Sequence, residues 1–201
     1  MFSVKRVERS MVPVAASAVV LVGLLSACGG EEASQAVPAP RAATSSATAA
    51  GEPVTGQAPA VAKTQGWLKI YAGTAPTGTN SVQLKVIDSP AVGQYVSDGT
   101  GRSLYRFDKD TAQPSASNCS GQCAETWPPL TVTREQALFA AGVDPQRVGL
   151  IERADGNCQI TIGGWPVYYF SKDKNPGDLL GQGVGGTWFA VAPTGGKAFA
   201  K

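Results

Sequence analysis

Gly101-Arg102-Ser103-Leu104-Tyr105-Arg106-Phe107-Asp108-Lys109-Asp110 is answered later in the chain by Gly164-Trp165-Pro166-Val167-Tyr168-Tyr169-Phe170-Ser171-Lys172-Asp173. Glycine, tyrosine, phenylalanine, lysine and aspartate recur at the same offsets, Tyr105 and Tyr168 standing 63 positions apart (168 − 105). Each copy is followed by a second match. Gly121-Gln122 runs to Thr126-Trp127, and Gly181-Gln182 runs to Thr187-Trp188 with one extra residue. Self-similarity at a fixed spacing means one structural unit built twice. On a strand, Tyr105 and Phe107 share a face, as do Tyr168 and Phe170. Aromatic residues on strands mostly fill cores and aspartate is a standard turn former, so the favoured reading is a duplicated β core with Asp110 and Asp173 securing its turns. The competing reading is a pair of Tyr/Asp sites that bind a small ligand or carry a proton, because a half-buried phenol needs a partner and a carboxylate is a strong one. Asp108 beside Asp110 hints at calcium, but Ser171 occupies the first of these positions in the second copy.

The flanking sequence extends the β reading. Trp67 to Tyr71 and Val82 to Val86 alternate apolar and polar residues, as half-buried strands do. Gln94 to Ser97, turned at Asp98-Gly99-Thr100-Gly101, returns as Arg102 to Phe107, an Asp-Gly hairpin. The second copy repeats the plan: Gly149 to Arg153, a turn at Asp155-Gly156, Cys158 to Ile162, then Gly163-Gly164 into Pro166 to Phe170. Trp188 to Ala192 reads as a last strand. Between the copies, Thr133 and Gln136 match a capping box, so Thr133 to Ala141 is expected to be a two-turn helix stopped by Gly142. A second helical turn is expected over Cys119 to Thr126. The fold class is therefore mainly β: a single domain of two related antiparallel β repeats with one or two short helices, preceded by a disordered tether. Its expected bounds are 64–193, with repeat one about 92–132, repeat two about 148–192, and a flexible tail at 194–201.

The first 63 residues read differently. Lys5, Arg6 and Arg9 precede an uncharged apolar run from Met11 to Leu25, the pattern of a secretory signal over residues 1–27. Leu25-Ser26-Ala27-Cys28 resembles the lipobox of bacterial lipoproteins, which implies cleavage before Cys28 and a diacylglyceryl group, with palmitate-type chains, on its thiol. Residues 28–63 are rich in Ala, Pro, Ser and Thr and lack aromatic side chains, so they cannot bury enough apolar surface to order themselves. The leader holds three of the 17 basic and one of the 15 acidic residues, which leaves 14 of each in the remainder. A neutral chain without a basic block has no electrostatic footprint for nucleic acid. The expected location is the bacterial cell envelope, outside the cytoplasm, with the membrane reached through the lipid anchor.

Histidine is absent, and both methionines, Met1 and Met11, lie in the leader. Histidine triads are thereby excluded, and so are the imidazole and thioether ligands of extracytoplasmic copper proteins. Beyond Cys28, three cysteines remain: Cys119, Cys123 and Cys158. Residues four apart on a helical turn lie within disulfide reach, so a Cys119–Cys123 bridge is expected, with Cys158 as an alternative partner. The same Cys-x3-Cys spacing also suits a redox thiol pair or Cu(I), with Cys158 as a further ligand. Trp165 and Tyr169, on the face opposite Tyr168 and Phe170, are the best candidates for surface binding.

Leu104 to Asp110, then Cys119-x3-Cys123, then Trp127-Pro128-Pro129-Leu130, resembles the bacterial secreted-repeat lipoproteins named for a tyrosine–aromatic–aspartate motif. Asp155-Gly156, Gly164, Pro166 to Phe170, Gly177-Asp178 and Gly181-Gln182-Gly183 resemble that family's second repeat. The likeness covers roughly Val92 to Val191; Cys158 departs from it, standing where the family usually has a polar residue other than cysteine. The resemblance implies an envelope lipoprotein and no reaction. The functional expectation is a non-enzymatic module that binds or scaffolds an envelope protein or glycan without a cofactor. The alternative is a redox-active or copper-handling lipoprotein using Cys119, Cys123 and Cys158.

Overall fold

A computed structural model describes residues 59–200. The expected signal, the lipidation site at Cys28 and nearly all of the tether lie outside the described residues. Five strands form the first sheet. β1 (Val61–Gln65) runs antiparallel to β2 (Leu68–Ala72), and β3 (Ser81–Ser89) runs antiparallel to β4 (Gly93–Asp98). Between these hairpins lies β9 (Ala137–Ala141), parallel to both β2 and β3, giving the order β1-β2-β9-β3-β4. β1 starts at Val61, before the expected domain start at 64.

β9 corrects the expected helix. Ala, Leu and Phe favour a helix by intrinsic propensity, but Leu138, Phe139 and Ala140 are all buried between two neighbouring strands. A short apolar run without alternation suits a strand covered on both faces, and at this length periodicity cannot distinguish it from a helix. The apparent capping box closes a turn instead. The Thr133 N–H donates to Gln136 Oε1 (3.0 Å), and the Gln136 N–H donates to the Thr133 carbonyl (3.1 Å). Gly142 does adopt the expected left-handed conformation (φ 81°), but it ends a strand.

The second sheet is a meander of β10 (Val148–Glu152), β11 (Cys158–Ile162) and β12 (Trp165–Pro166), with β8 (Thr131–Val132) pairing with β11. An exposed edge such as that of β10 invites pairing with another chain. Here β1 blocks it with side chains. The Gln65 amide accepts from Leu150 N–H (3.1 Å) and donates to the Leu150 carbonyl (3.2 Å), and Lys63 Nζ donates to the Val148 carbonyl (2.6 Å). An aliphatic core containing Leu68, Ile70, Leu84, Leu138, Ile160 and Ile162 joins the sheets.

β5 (Tyr105–Phe107), one helical turn α1 (Gln122–Thr126) and β13 (Trp188–Ala190) gather around a second, aromatic core, while the small hairpin of β6 (Thr111–Ala112) and β7 (Ser115–Ala116) lies against β12. The helical turn expected over Cys119 to Thr126 is thus present in its second half. Residues 194–200, expected as a flexible tail, pack against β13 through Ala198 N–H to the Ala190 carbonyl (2.8 Å), and Ala198 is buried.

Candidate functional site

The two copies of the opening motif meet at the centre of the aromatic core, and each is completed by the other. Tyr105 and Tyr168 face one another as an antiparallel pair, exchanging N–H to carbonyl bonds of 2.8 and 2.9 Å. Outward from this pair, β5 of the first copy binds β13, the closing strand of the second, with Tyr105 opposite Ala190 and Phe107 opposite Trp188. The reverse exchange places Tyr168 opposite Pro129, two residues beyond Trp127. Matching bonds run from Asp108 N–H to the Thr187 carbonyl and from Ser171 N–H to the Thr126 carbonyl, both 2.9 Å.

The side chains follow the same cross. The Tyr105 hydroxyl donates to Asp173 Oδ2 and the Tyr168 hydroxyl donates to Asp110 Oδ2, each at 2.7 Å, so each phenol takes its carboxylate from the other repeat. Both tyrosines are fully buried and both aspartates are 4 % exposed. The second oxygen of each carboxylate holds its own loop: Asp110 Oδ1 accepts from Asn118 N–H (2.7 Å) and Asp173 Oδ1 from Leu180 N–H (3.1 Å). The expected turn role is therefore one half of what these aspartates do. The other half, the bond between repeats, is invisible in either copy alone.

Four rings stack through the same centre. Trp127 and Trp188 lie face to face (3.9 Å, 2° between planes), with Phe107 outside Trp188 (4.1 Å) and Phe170 outside Trp127 (4.2 Å). Tyr105 meets Trp127 edge-on at 5.5 Å, and Tyr168 meets Trp188 at 5.2 Å, an arrangement aromatic quadrupoles favour. Gly181 is required here, because a Cβ on it would come within 2.7 Å of the Tyr105 ring.

Burial sets the electrostatics of the four motif groups. It raises the Tyr105 and Tyr168 phenols well above their ordinary value, because a phenolate would be desolvated. It also raises the Asp110 and Asp173 carboxyls, against the opposing effect of their hydrogen bonds. A raised folded-state value means that the native protein binds this proton more tightly than the unfolded chain. The associated stability is fully present below the unfolded carboxyl pKa of about 3.9 and is lost as pH rises through the raised value. Acidification from neutral pH towards about 4 is therefore expected to increase the stability of the wild type relative to Asp173→Asn. Urea unfolding across that window checks this, and identical pH slopes in the two proteins would contradict it.

Cys119 and Cys123 form a disulfide with Cα atoms 5.3 Å apart. Cys119 is fully buried in the aromatic core, and the bridge ties the segment before α1 to the turn that delivers Trp127. The alternative pairing of either cysteine with Cys158 is not formed; Cys158 sits half-buried on β11 against the aliphatic core. Closing so short a loop is worth about 2 kcal/mol in the chain-entropy treatment. Reduction is thus expected to lower the melting temperature while leaving a folded protein, as thermal unfolding followed by tryptophan fluorescence with and without reductant will report.

The structure adds a residue that spacing did not reveal. Arg153, 7 % exposed, donates to the Cys119 carbonyl (2.7 Å), Ser117 Oγ (2.8 Å) and Gln159 Oε1 (2.6 Å), and pairs with Asp155 at 3.3 Å. A cleft of about 570 Å³ opens beside it, between residues 115–121 and 151–155, lined by polar side chains such as Ser115, Asn118, Ser120 and Glu152 and by apolar ones such as Ala116 and Ile151. Only a loop-to-loop contact map could have found it, since its two walls are 30 residues apart in sequence (151 − 121).

Trp165 and Tyr169, expected at the surface, are both half-buried. The Arg106 guanidinium lies 3.4 Å over the Trp165 ring, and that of Arg102 lies 4.1 Å over Tyr169. The Tyr169 hydroxyl is bonded to Asp98 Oδ2 (3.1 Å). One of the protein's own cations thus lies over each ring, which leaves both rings only partly exposed. Among the described residues no group of three or more potential metal ligands converges, and no helix is long and apolar enough to cross a membrane.

Residues 86–131 and 149–192 each match a family described as a secreted repeat of unknown function. The two matches coincide with the two interlocked units. No curated protein and no solved structure matches the chain.

Proposed function

Since the chain belongs to this secreted-repeat family, we propose that it is a lipid-anchored, extracytoplasmic binding module in which the repeated motif builds the scaffold and the cleft at Arg153 takes the ligand. The carrying observation is that Tyr105, Asp110, Tyr168 and Asp173 are buried and spend their polar groups on one another, on backbone and on Ser117 Oγ. Recognition then falls to what the copies do not share. The disulfide follows only the first copy, and with Arg153 it shapes a cleft whose hydroxyl, amide and carboxylate lining suits a hydroxyl-rich ligand, an envelope glycan.

The glycan part is tested by titrating soluble cell-wall oligosaccharides into the isotopically labelled domain. Amide shifts confined to residues 115–121 and 151–155, lost in Asn118→Ala, are expected; shifts elsewhere, or none, would remove the assignment. The anchor is a separate part and rests on Leu25-Ser26-Ala27-Cys28. Cys28→Ala is expected to abolish acylation and release the protein from the membrane fraction. The copper reading is kept as the alternative, because reduction would free two thiolates from the Cys119–Cys123 bridge. Stoichiometric Cu(I) uptake by the reduced protein, lost in Cys123→Ser, would favour it over glycan binding.

A further inference from the structure

The arrangement at the core has a property that packing does not require. Two phenols each donate a short hydrogen bond to a buried carboxylate, and each also touches the edge of one of two stacked indoles. We propose that this centre is a one-electron relay, in which Tyr105 and Tyr168 are the sites oxidised and the buried Trp127–Trp188 stack carries the electron away from them. In each half the phenolic O–H bond breaks. The proton passes to Asp173 Oδ2 from Tyr105, or to Asp110 Oδ2 from Tyr168. The electron leaves through the neighbouring indole to an external one-electron oxidant, a metal ion or an organic radical, which is reduced. The product is a neutral tyrosyl radical beside a carboxylic acid. A one-electron reductant restores the phenol as the proton returns.

Three observations carry this. At 2.7 Å the proton needs only to cross an existing hydrogen bond, with no water to recruit. Burial raises both carboxyl groups, which makes them stronger proton acceptors, while the raised phenols are kept from ionising without electron loss. Indole planes 2° from parallel with centroids 3.9 Å apart overlap their π systems, and Phe107 and Phe170 shield the outer faces from solvent. Tyr169 supplies an internal contrast. It too bonds an aspartate, but the Arg102 cation lies over its ring and opposes removal of an electron. The Tyr168 half adjoins the cleft, where Ser117 Oγ lies 2.8 Å from its hydroxyl and Asn118 N–H donates to Asp110, whereas the Tyr105–Asp173 half makes no bond to a cleft residue, so the relay stands whether or not a glycan binds there.

The experiment is flash oxidation of the purified protein with photogenerated tris(bipyridyl)ruthenium(III), followed by freeze-trapping and electron paramagnetic resonance. The wild type is expected to give a neutral tyrosyl radical. Tyr105→Phe and Tyr168→Phe are each expected to remove part of it and together to remove it, while Tyr169→Phe leaves it intact. Persistence of the signal in the folded Tyr105→Phe/Tyr168→Phe variant, or its loss in Tyr169→Phe, overturns the assignment. Should the double variant not fold, high-field spectra of the wild type decide. A phenoxyl oxygen hydrogen-bonded to a carboxylic acid supports the relay, and an unbonded phenoxyl, or no tyrosyl radical at all, overturns it.

Discussion

Replacing Trp188 by alanine is expected to cost about 4 kcal/mol, the middle of the range for deleting a buried aromatic ring. The ring is 5 % exposed and is sandwiched between Phe107 of the first repeat and Trp127, which closes that repeat. Its removal opens a cavity that β5 and β13 cannot close, because both are fixed by the Tyr105–Ala190 and Phe107–Trp188 pairing. Since small domains hold only about 5–15 kcal/mol in total, the variant should unfold at a much lower urea concentration. Trp127→Ala should behave alike, as its ring stacks on Trp188 and Phe170 and meets Tyr105 edge-on. Trp165→Ala provides the contrast. Its half-buried ring has a guanidinium on its face, and it should cost less than half as much. Equal losses at Trp165 and Trp188 would mean that the stack is not the centre of the fold.

Asp173→Ala should cost about 2–3 kcal/mol, because it leaves one buried donor, the Tyr105 hydroxyl, and one part-buried donor, the Leu180 N–H, without an acceptor. Each unpaired donor carries a penalty of roughly 1–3 kcal/mol, and relief from burying a carboxylate offsets part of the sum. Tyr105→Phe also strips two groups, Asp173 Oδ2 of its donor and the buried Gly181 N–H of its acceptor (3.3 Å), so it should cost a comparable amount, about 2–3 kcal/mol. Equilibrium denaturation of both variants checks it, and losses under about 1 kcal/mol in both would show that the crossing contributes little to the fold.

Much of this was legible in the residues. The 63-residue recurrence gave two units, Asp98-Gly99 and Asp155-Gly156 gave turns, and the alternation at Val82 to Val86 gave β3. The repetition of Thr-Trp after each motif was also visible, but its consequence was not. A repeat read along the chain suggests that each tyrosine is served by the aspartate five residues on. In space that aspartate belongs to the other tyrosine, and only the pseudo-symmetric pairing of Tyr105 with Tyr168 brings this about. The helix expected at Thr133 to Ala141 failed for a related reason. Propensity is local, whereas β9 owes its conformation to β2 and β3, whose paired residues lie more than fifty positions away in sequence (137 − 81 = 56 for Ser81 and Ala137). Arg153 escaped notice because a lone arginine after a strand carries no pattern, and its value lies in reaching Ser117 and Cys119 across the fold.

The reciprocal crossing is the claim on which the rest depends, and a double-mutant cycle measures it directly. Tyr105→Phe combined with Asp173→Asn, the pair bonded across the repeats, is expected to show a coupling of about 1–3 kcal/mol. Tyr105→Phe combined with Asp110→Asn, the pair within one motif, should be additive to within about 0.5 kcal/mol. Coupling between Tyr105 and Asp110, with additivity between Tyr105 and Asp173, would contradict the account.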